Sequence, residues 1–463
     1  MLVLRVGHRA TLVLLLLLIV LTVPGMASAG QSREISPSEA IERAVENDFG
    51  LCQARLGLSL AVLELRAAKL SLYLPTVGFA LDLPDLTNNG PGQEIGASLT
   101  ASIPVPWGSG SVTGGVGFSY NASTSELVAP TWNVSLSEIL DLAHLDGRSE
   151  TIHTLQQTLE SAERSYRTAH ADLVISTIRT YGDLLSEAQQ AEQDLQTVDR
   201  LTTRLGQIEE LAAQGYKGEL DVNEARLLVL EAEVRAEKSA AVYATDLEAF
   251  GRETLGVEEP YRLSPFTLST GDLVLSARAL LAAEIPTSAI SDSSTVIAAQ
   301  QGVADAEDAL REARVGVLPS LSVEAAVSAD EWRVGLGLSL DLFDPERGAE
   351  IEIAKIDLEL AQEKLGSARE TVRNAILSLK SSLLSAVRSA ESLTLETEAW
   401  QLEEQVKSAK RDAGSLSDSD WAEFLEEKGA FGIEAASRST SLLVAHLAYR
   451  NALGMELDWE EWL

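Results

Sequence analysis

The 463-residue sequence predicts an internally duplicated protein that is mainly α-helical and carries two blocks of transmembrane β-strand. Three observations lead to this fold class. Proline is absent between Thr131 and Glu259 and again from Glu346 to the C-terminus, so two long helical stretches are allowed. Apolar residues in these stretches recur at alternating steps of three and four. Two shorter blocks alternate apolar and polar residues with period two, as half-buried strands do.

Residues 1–29 have the pattern of a cleavable export signal. Two arginines precede an apolar run from Leu12 to Val23, and Ala27-Ser28-Ala29 forms an A-x-A cleavage site. The run is too short to span a bilayer comfortably. The only cysteine, Cys52, is far from the expected mature N-terminus, so neither a lipid anchor of the bacterial lipoprotein type nor a disulfide framework is expected.

The formal net charge of −34 argues against nucleic acid as a partner. After the signal, no segment has 18 consecutive apolar residues. Because lipid cannot satisfy the backbone groups of open strand edges and loops, a membrane part of this exported chain would have to be a closed β-barrel.

The helices of the first half follow in order. The N-terminal helix, within 30–73, starts at the capping box Ser36-Pro37-Ser38-Glu39 and is expected to run without interruption to about Tyr73. A helical hairpin is expected at 146–256, and its first helix would reach Gln214, about 100 Å away at 1.5 Å per residue. Its coiled-coil seam includes the following residues: Ile152, Leu155, Leu159, Ala162, Tyr166, Ala169, Leu173, Ile178, Tyr181, Leu185, Ala188, Leu195, Val198, Leu205 and Ile208.

The second half repeats this plan. A linker at 257–292 is followed by a helix at 293–317, a strand hairpin at 318–344, a helical hairpin at 345–454 and a tail at 455–463. Trp132 and Trp332 lie 200 residues apart, and Leu255-Gly256 and Leu453-Gly454 lie 198 apart. Such nearly constant offsets indicate an internal duplication.

The strand blocks differ in size between the two halves. Residues 74–145 have room for four strands, and residues 318–344 have room for one hairpin that turns at Ser328–Glu331. Each block begins at a Leu-Pro dipeptide, so Pro75 and Pro319 mark the junctions between helix and strand. Six strands cannot close a barrel, so several protomers are expected to share one.

Several segments resemble the TolC-like outer membrane efflux proteins, and the resemblance covers essentially the whole mature chain. They are "SPSEAIERAVENDFGLCQARLGLSLAVLELRAAKLSLYLPTVGF", "GYKGELDVNEARLLVLEAEV" and "WRVGLGLSLDLFDPERGAEIEIAKIDLELAQEKL". The resemblance implies a homotrimer in the outer membrane of a diderm bacterium. Its β-barrel, in outer-membrane lipid, would continue into a long coiled-coil α-helical barrel through the periplasm. A periplasmic adaptor and an inner-membrane pump of the RND or ABC type would be its partners.

Two departures from that family stand out. The hairpin at about 94–120 exceeds the usual two strands per repeat, so it either enlarges the barrel or lies outside it. The lipid-acceptor cysteine of some members is missing.

The resemblance also implies roles for the turns between the long and short helices. These turns would form the periplasmic tip. Acidic and polar residues there would line or close the entrance: Asp418, Asp420, Glu423, Asp221, Glu224, Lys217 and Tyr216. The adaptor would contact Gly215, Gly218, Gly414, Leu416 and Ser417. A simpler explanation stays open, since acids favour the first turn of any helix. Aromatic residues near strand ends would form a membrane-interface girdle: Trp107, Trp132, Trp332 and Tyr120.

No catalytic residues, cofactor or metal site are predicted. The histidines at 144, 153, 170 and 446 have no carboxylate or cysteine partner at ligand spacing and are expected to be satisfied or solvent-facing. The predicted function is a passive exit duct, the outer component of a tripartite efflux or type I secretion system. A non-conducting structural or adhesive protein that spans the periplasm is the main alternative, and an unrelated secreted coiled coil is a third. The sequence leaves the cargo open.

Overall fold

The computed structural model describes residues 33–71, 74–82, 94–104, 111–121, 126–140, 147–257, 259–266, 268–315, 320–328, 331–339, 347–457, 459 and 462. The predicted export signal, Trp107 and Pro319 lie outside the described residues. The backbones of Tyr120 and Asp418 are described, but their side chains are not.

The helices and strands alternate in two similar halves. The first half contains β1 (Arg33–Ile35), α1 (Pro37–Asn47), α2 (Phe49–Ser71), β2 (Thr76–Asp82), β3 (Glu94–Pro104), β4 (Ser111–Asn121), β5 (Glu126–Leu140), α3 (Gly147–Ala213) and α4 (Glu219–Phe250). The second half contains β6 (Tyr261–Leu263), α5 (Thr270–Ala282), α6 (Thr287–Ser291), α7 (Ser294–Val315), β7 (Ser320–Ser328), β8 (Trp332–Ser339), α8 (Arg347–Asp412) and α9 (Asp418–Ala452).

The N-terminal helix is not continuous, so the prediction of one uninterrupted helix is wrong. Asp48 has an extended backbone and separates α1 from α2. Its Oδ1 accepts a hydrogen bond of 2.5 Å from the Leu51 N–H, which caps the start of α2. The Asn47 amide donates to the Leu255 carbonyl at 2.9 Å, a contact 208 residues away in sequence. The break is therefore stabilised by a local cap and by a tertiary contact.

Two short helices lie beside each long helix, as the duplicated pattern predicts. Helices α2 and α4 pack against α3, which has 67 residues, and α7 and α9 pack against α8, which has 66. Helix α9 also packs against α3 and so joins the two halves. All but one of the predicted seam residues of α3 are buried or partly buried, with Ile178 and Tyr181 each only 1% exposed. Leu195 is the exception at 55% exposure, because Ala191 and Asp194 occupy the buried face there.

Four glycines with positive φ mark equivalent helix ends in the two halves. Gly215 and Gly414 follow the long helices, and Gly256 and Gly454 follow the ends of the hairpins. Their φ values lie between 61° and 81°, the left-handed region that ends many helices. Between Phe250 and Gly256 the chain forms one π-helical turn at Gly251–Leu255. The matched conformations agree with the internal duplication.

The six longer strands form one antiparallel sheet in the order β2-β3-β4-β5-β7-β8. Four strands come from the first half and two from the second, as the strand patterns predict. The two blocks join where Asn133–Leu140 of β5 pair with Leu321–Ser328 of β7. A β-bulge lies between Gly117 and Ser119, where β4 pairs with β5. Strands β2 and β8 lie at the edges of this sheet.

A large hydrophobic core lies midway along the long helices, where residues of the 257–292 linker such as Leu273 and Ala277 pack against them. Strands β1 and β6 pair there in parallel. The Tyr181 hydroxyl lies 2.8 Å from the Ile35 carbonyl oxygen and 2.7 Å from that of Ser264. This contact fixes the strand pair to α3, and burial raises the pKa of Tyr181 to about 12.

His446 contradicts the expectation that the histidines are satisfied or solvent-facing. It is 1% exposed, and neither ring nitrogen has a hydrogen-bond partner among the described residues. Its ring lies 5.8 Å from the Trp462 ring, because the C-terminal tail folds back over α9. Sequence spacing could not reveal this, since the burial depends on the fold of the tail.

Candidate functional site

The turn between α3 and α4 is held by backbone and capping contacts. The Tyr216 N–H donates to the Leu211 carbonyl at 2.9 Å and so closes the C-terminal end of α3, which the left-handed Gly215 follows. The Asp221 carboxylate accepts from the Gly218 N–H at 2.9 Å and pairs with Lys217 at 3.1 Å. The Gly218 hydrogen bond, followed by that from Lys217, lowers the pKa of Asp221. Asp221 is therefore a helix cap as well as a surface charge.

The turn between α8 and α9 repeats this geometry with a different cap. The Ser415 N–H donates to the Lys410 carbonyl at 2.8 Å, and Gly414 takes the left-handed conformation. The Ser417 hydroxyl accepts from the Asp420 N–H at 3.1 Å and caps α9. Because a serine does the capping, the exposed Asp420 carboxylate is not needed for that role.

The remaining predicted residues lie close to these turns. Tyr216 and Glu224 are exposed beside the first turn. Glu423 is exposed and Leu416 is half-buried at the second. The structure thus brings each predicted group together at its own turn, with Asp221 and Asp420 at equivalent positions three residues into α4 and α9.

Among the described residues, an aromatic stack lies beside the second turn and not beside the first, a difference that the sequence patterns above did not indicate. The Phe424 ring lies 5.5 Å from Trp421 and 5.6 Å from Trp400, and Trp400 stacks on Phe431 at 5.6 Å. The Lys407 ammonium lies 4.5 Å from the centre of the Phe424 ring. Trp421, Phe424 and Phe431 lie three and seven positions apart on α9, a spacing that places them on one helix face and could have indicated the stack, whereas Trp400 lies on α8.

The second hairpin is also tied to α3. Arg200 donates to the Ala422 carbonyl at 2.9 Å and forms an ion pair with Glu426. The first hairpin has instead an exposed ion pair between Arg226 and Glu209 at 2.7 Å. An exposed ion pair contributes at most about 1 kcal/mol. The second hairpin is therefore held more strongly by contacts within the chain than the first.

The six-stranded sheet has one apolar and one polar face. Cross-strand register places the exposed large apolar side chains on the same face: Val77, Phe79, Leu81, Leu99, Ile103, Val116, Phe118, Trp132, Val134, Val327, Trp332 and Val334. The opposite face carries mainly glycine, serine and threonine. By its pairing with Val323, Glu138 lies at an apolar-face position two residues from the end of β5.

The two described girdle tryptophans lie on the apolar face, 45% (Trp132) and 77% (Trp332) exposed. Trp332 is the first residue of β8, as expected for a residue at a strand end. Trp132 is not at a strand end, because β5 already begins at Glu126. Trp332 pairs with Val327, and Val327 pairs with Val134 of β5. Trp332 therefore lies at the level of Val134, only two residues along the strand direction from Trp132. Pro75 lies directly before β2.

The described residues contain neither a candidate metal site nor a candidate membrane-spanning helix. No group of three or more histidine, cysteine, aspartate or glutamate side chains there is arranged to hold a metal ion. None of the described helices combines the length and apolarity that crossing a bilayer as a helix requires.

Several solved structures share this arrangement of long paired helices and strands and match nearly the whole chain. One is a membrane protein from Pseudomonas aeruginosa, at 17% identity and a TM-score of 0.59, with 92% of each chain covered. Another is CusC, at 14% identity and 0.58, covering 93% of this chain and 96% of that one.

A third is the outer membrane channel CmeC of Campylobacter jejuni, at 14% identity and 0.56, covering 91% of this chain and 86% of that one. No protein-family model and no curated protein matches the sequence. At these identities the similarity shows the fold, and it confirms the predicted fold class.

Proposed function

We propose that this chain forms a passive exit duct in the outer membrane of a diderm bacterium, with a periplasmic extension. Three copies would share one β-barrel and one helical tunnel. The duct would be the outer component of a tripartite efflux or type I secretion system and would be gated at the two helix turns. The solved channels of the same fold support this proposal.

The separation of the sheet into two faces is the observation that carries the proposal. A strand that crosses a membrane in a barrel directs apolar side chains to lipid and polar ones to the lumen. The exposed Phe79, Leu99, Val116 and Trp132 lie side by side in register on one face. A water-soluble sheet would bury such a face against a second layer.

The edges of the sheet and the exposed helix faces support assembly from several copies. Strands β2 and β8 would leave unpaired backbone groups in lipid unless they paired with neighbouring copies. Large apolar side chains are also more than half exposed on α2 and α8, among them Leu56, Leu63 and Ile356. Patches of this kind commonly mark protein interfaces. The proposed number of three rests on the resemblance.

The acids at the turns would line the gate and select the ions that pass it. In a symmetric assembly each acid becomes a ring, and a narrow ring of carboxylates attracts cations and repels anions. Asp420 and Glu423 are the better placed, because they are exposed and the cap of α9 is supplied by Ser417. Lys217 pairs with Asp221 in its own chain, so any closing link to a neighbouring copy would compete with that pair.

Planar-bilayer recording tests the proposal. The purified oligomer should conduct, and reversing the charges of Asp418, Asp420 and Glu423 to lysine should lower conductance and shift the reversal potential towards anions. The control is Glu359→Lys, an exposed acid far along α8 from the turn. Unchanged conductance and selectivity in the triple variant would refute gating at this turn. A folded oligomer that never conducts would refute the duct and favour the structural alternative.

Copy number and partners need separate measurements. The mass of the detergent-solubilised oligomer should equal three chains. Purification from membranes after reversible crosslinking should recover a periplasmic adaptor and an inner-membrane pump. An oligomer of another size would refute the trimer without affecting the two faces of the sheet.

A further inference from the structure

The polar face of the sheet consists largely of small neutral residues. At one level Gly78, Thr100, Gly115 and Asn133 lie side by side across four strands. Hydroxyl groups on this face turn towards the backbone of the neighbouring strand, as when Thr131 donates to the Gly117 carbonyl at 3.4 Å. Such a surface produces only a weak electrostatic potential, so a single charged side chain on it changes that potential strongly.

Glu324 is the exception on this face. It lies midway along β7, four residues from either end, and its side chain is exposed. Its cross-strand neighbours are Ser137 and Gly335, which are neutral. The other charged residues at polar-face positions of the described strands lie at or next to a strand end: Asp82, Glu94, Glu126 and Arg333.

Arg333 is the one positively charged residue in this list. It lies opposite Ala326, which is two residues further along β7. Its guanidinium is 3.0 Å from the Glu331 carboxylate at the hairpin turn. Glu331 therefore offsets the charge of Arg333, and the negative charge of Glu324 is left in the middle of the strand.

We infer that Glu324 determines the charge preference of the polar face of the sheet, favouring cations and cationic solutes over anions. The inference rests on the proposed function, because it requires the polar face to line a water-filled lumen. Repeated by symmetry, Glu324 would place one carboxylate per copy around that lumen. The preference would be modest and sensitive to salt, since the Debye length is about 10 Å at 0.1 M ionic strength.

Gly335 is the natural position for a probe of this local field. A Cβ added there would lie 3.9 Å from the Glu324 Cβ, an ordinary van der Waals distance. A Gly335→Cys variant therefore places a thiol beside Glu324 with little strain. The exposed Cys52 is first replaced by serine, so that the new thiol is the only one.

The experiment compares two methanethiosulfonate reagents of similar size, one cationic and one anionic, on the full-length protein in lipid vesicles. The ratio of their rates at Gly335→Cys should fall by about threefold when Glu324→Gln is added at 0.1 M salt, and by much less at 1 M salt. Effects of Glu324 on thiol ionisation act on both rates and leave the ratio unchanged. Asp82→Asn, at the far end of β2, is the matched control and should leave the ratio unchanged.

A second thiol separates failure of the inference from failure of the proposed function. Val334→Cys lies on the apolar face and should react with neither charged reagent in vesicles. If Gly335→Cys reacts, Val334→Cys does not, and Glu324→Gln leaves the ratio unchanged, only the role of Glu324 is refuted. If Val334→Cys reacts as fast as Gly335→Cys, the apolar face does not meet lipid, and both proposals fail.

Discussion

Replacing His446 by leucine should reduce the acid sensitivity of the helical part of the protein. The imidazole is 1% exposed and packs against the Trp462 ring. Burial, with a smaller contribution from the positive charge of Arg450, lowers the pKa of His446 to about 4. The folded protein therefore keeps this imidazole neutral at pH values where the unfolded chain would protonate it.

The sign and size of the effect follow from the two pKa values. Above about pH 6.5 the imidazole is neutral in both states and contributes no pH dependence. As the pH falls towards 4, only the unfolded state takes up the proton, so the free energy of unfolding decreases. At 1.36 kcal/mol per pH unit, the difference between 6.5 and about 4 corresponds to about 3 kcal/mol.

Thermal unfolding followed by circular dichroism between pH 4 and 8, at fixed protein concentration, measures this effect. His446→Leu should flatten the decline of the unfolding midpoint below pH 6.5. At neutral pH it should cost little, because it removes two buried nitrogens that have no partner among the described residues. His153→Leu, at an exposed position on α3, is the control and should keep the wild-type profile. Equal slopes for His446→Leu and the wild type would refute the reasoning.

Two further substitutions test the packing midway along the long helices. Tyr181→Phe should lower the free energy of unfolding by about 1 to 2 kcal/mol in guanidinium titrations, because it removes the hydroxyl that contacts β1 and the segment after β6; an unchanged midpoint would contradict this role. Gly182→Ala should cost about 1 to 3 kcal/mol, since its Cβ would lie 2.4 Å from Thr440 Cγ2. Its control, Gly206→Ala in open space on the same helix, should instead stabilise by about 0.5 to 1 kcal/mol; equal effects at both glycines would rule out close packing at Gly182.

Most of the helices and strands could be predicted because their signals are local and repeated. The long helices α3 and α8 contain no proline; α3 begins and ends within one residue of the predicted positions, and α8 begins two residues after the predicted start of its hairpin. The alternation in β3, from Ile95 to Ile103, fixed both its strand character and which residues share a face. The break at Asp48 was missed although Asn47-Asp48 has turn and capping chemistry, because the apolar pattern continues through it.

In the candidate sites, too, local features could be predicted from the sequence and long-range contacts could not. The glycine turns could be located from sequence, since a positive φ at Gly215 and Gly414 is a local property of helix ends. The different roles of Asp221 and Asp420 could not, because each depends on which neighbouring group caps the helix. The support of the second turn by Arg200 joins residues 222 and 226 positions apart, and spacing along the chain says nothing about it.

The sequence by itself determined the helical and strand periods, the duplication, and the apolar and polar faces of the sheet, because these follow from the order of residues along single elements. Only the tertiary structure decided the parallel pairing of β1 with β6, the burial of His446 under the C-terminal tail, and the position of Glu324 among neutral neighbours. These features arise where segments distant in sequence meet. Their energies depend on desolvation and on partners that no single segment contains.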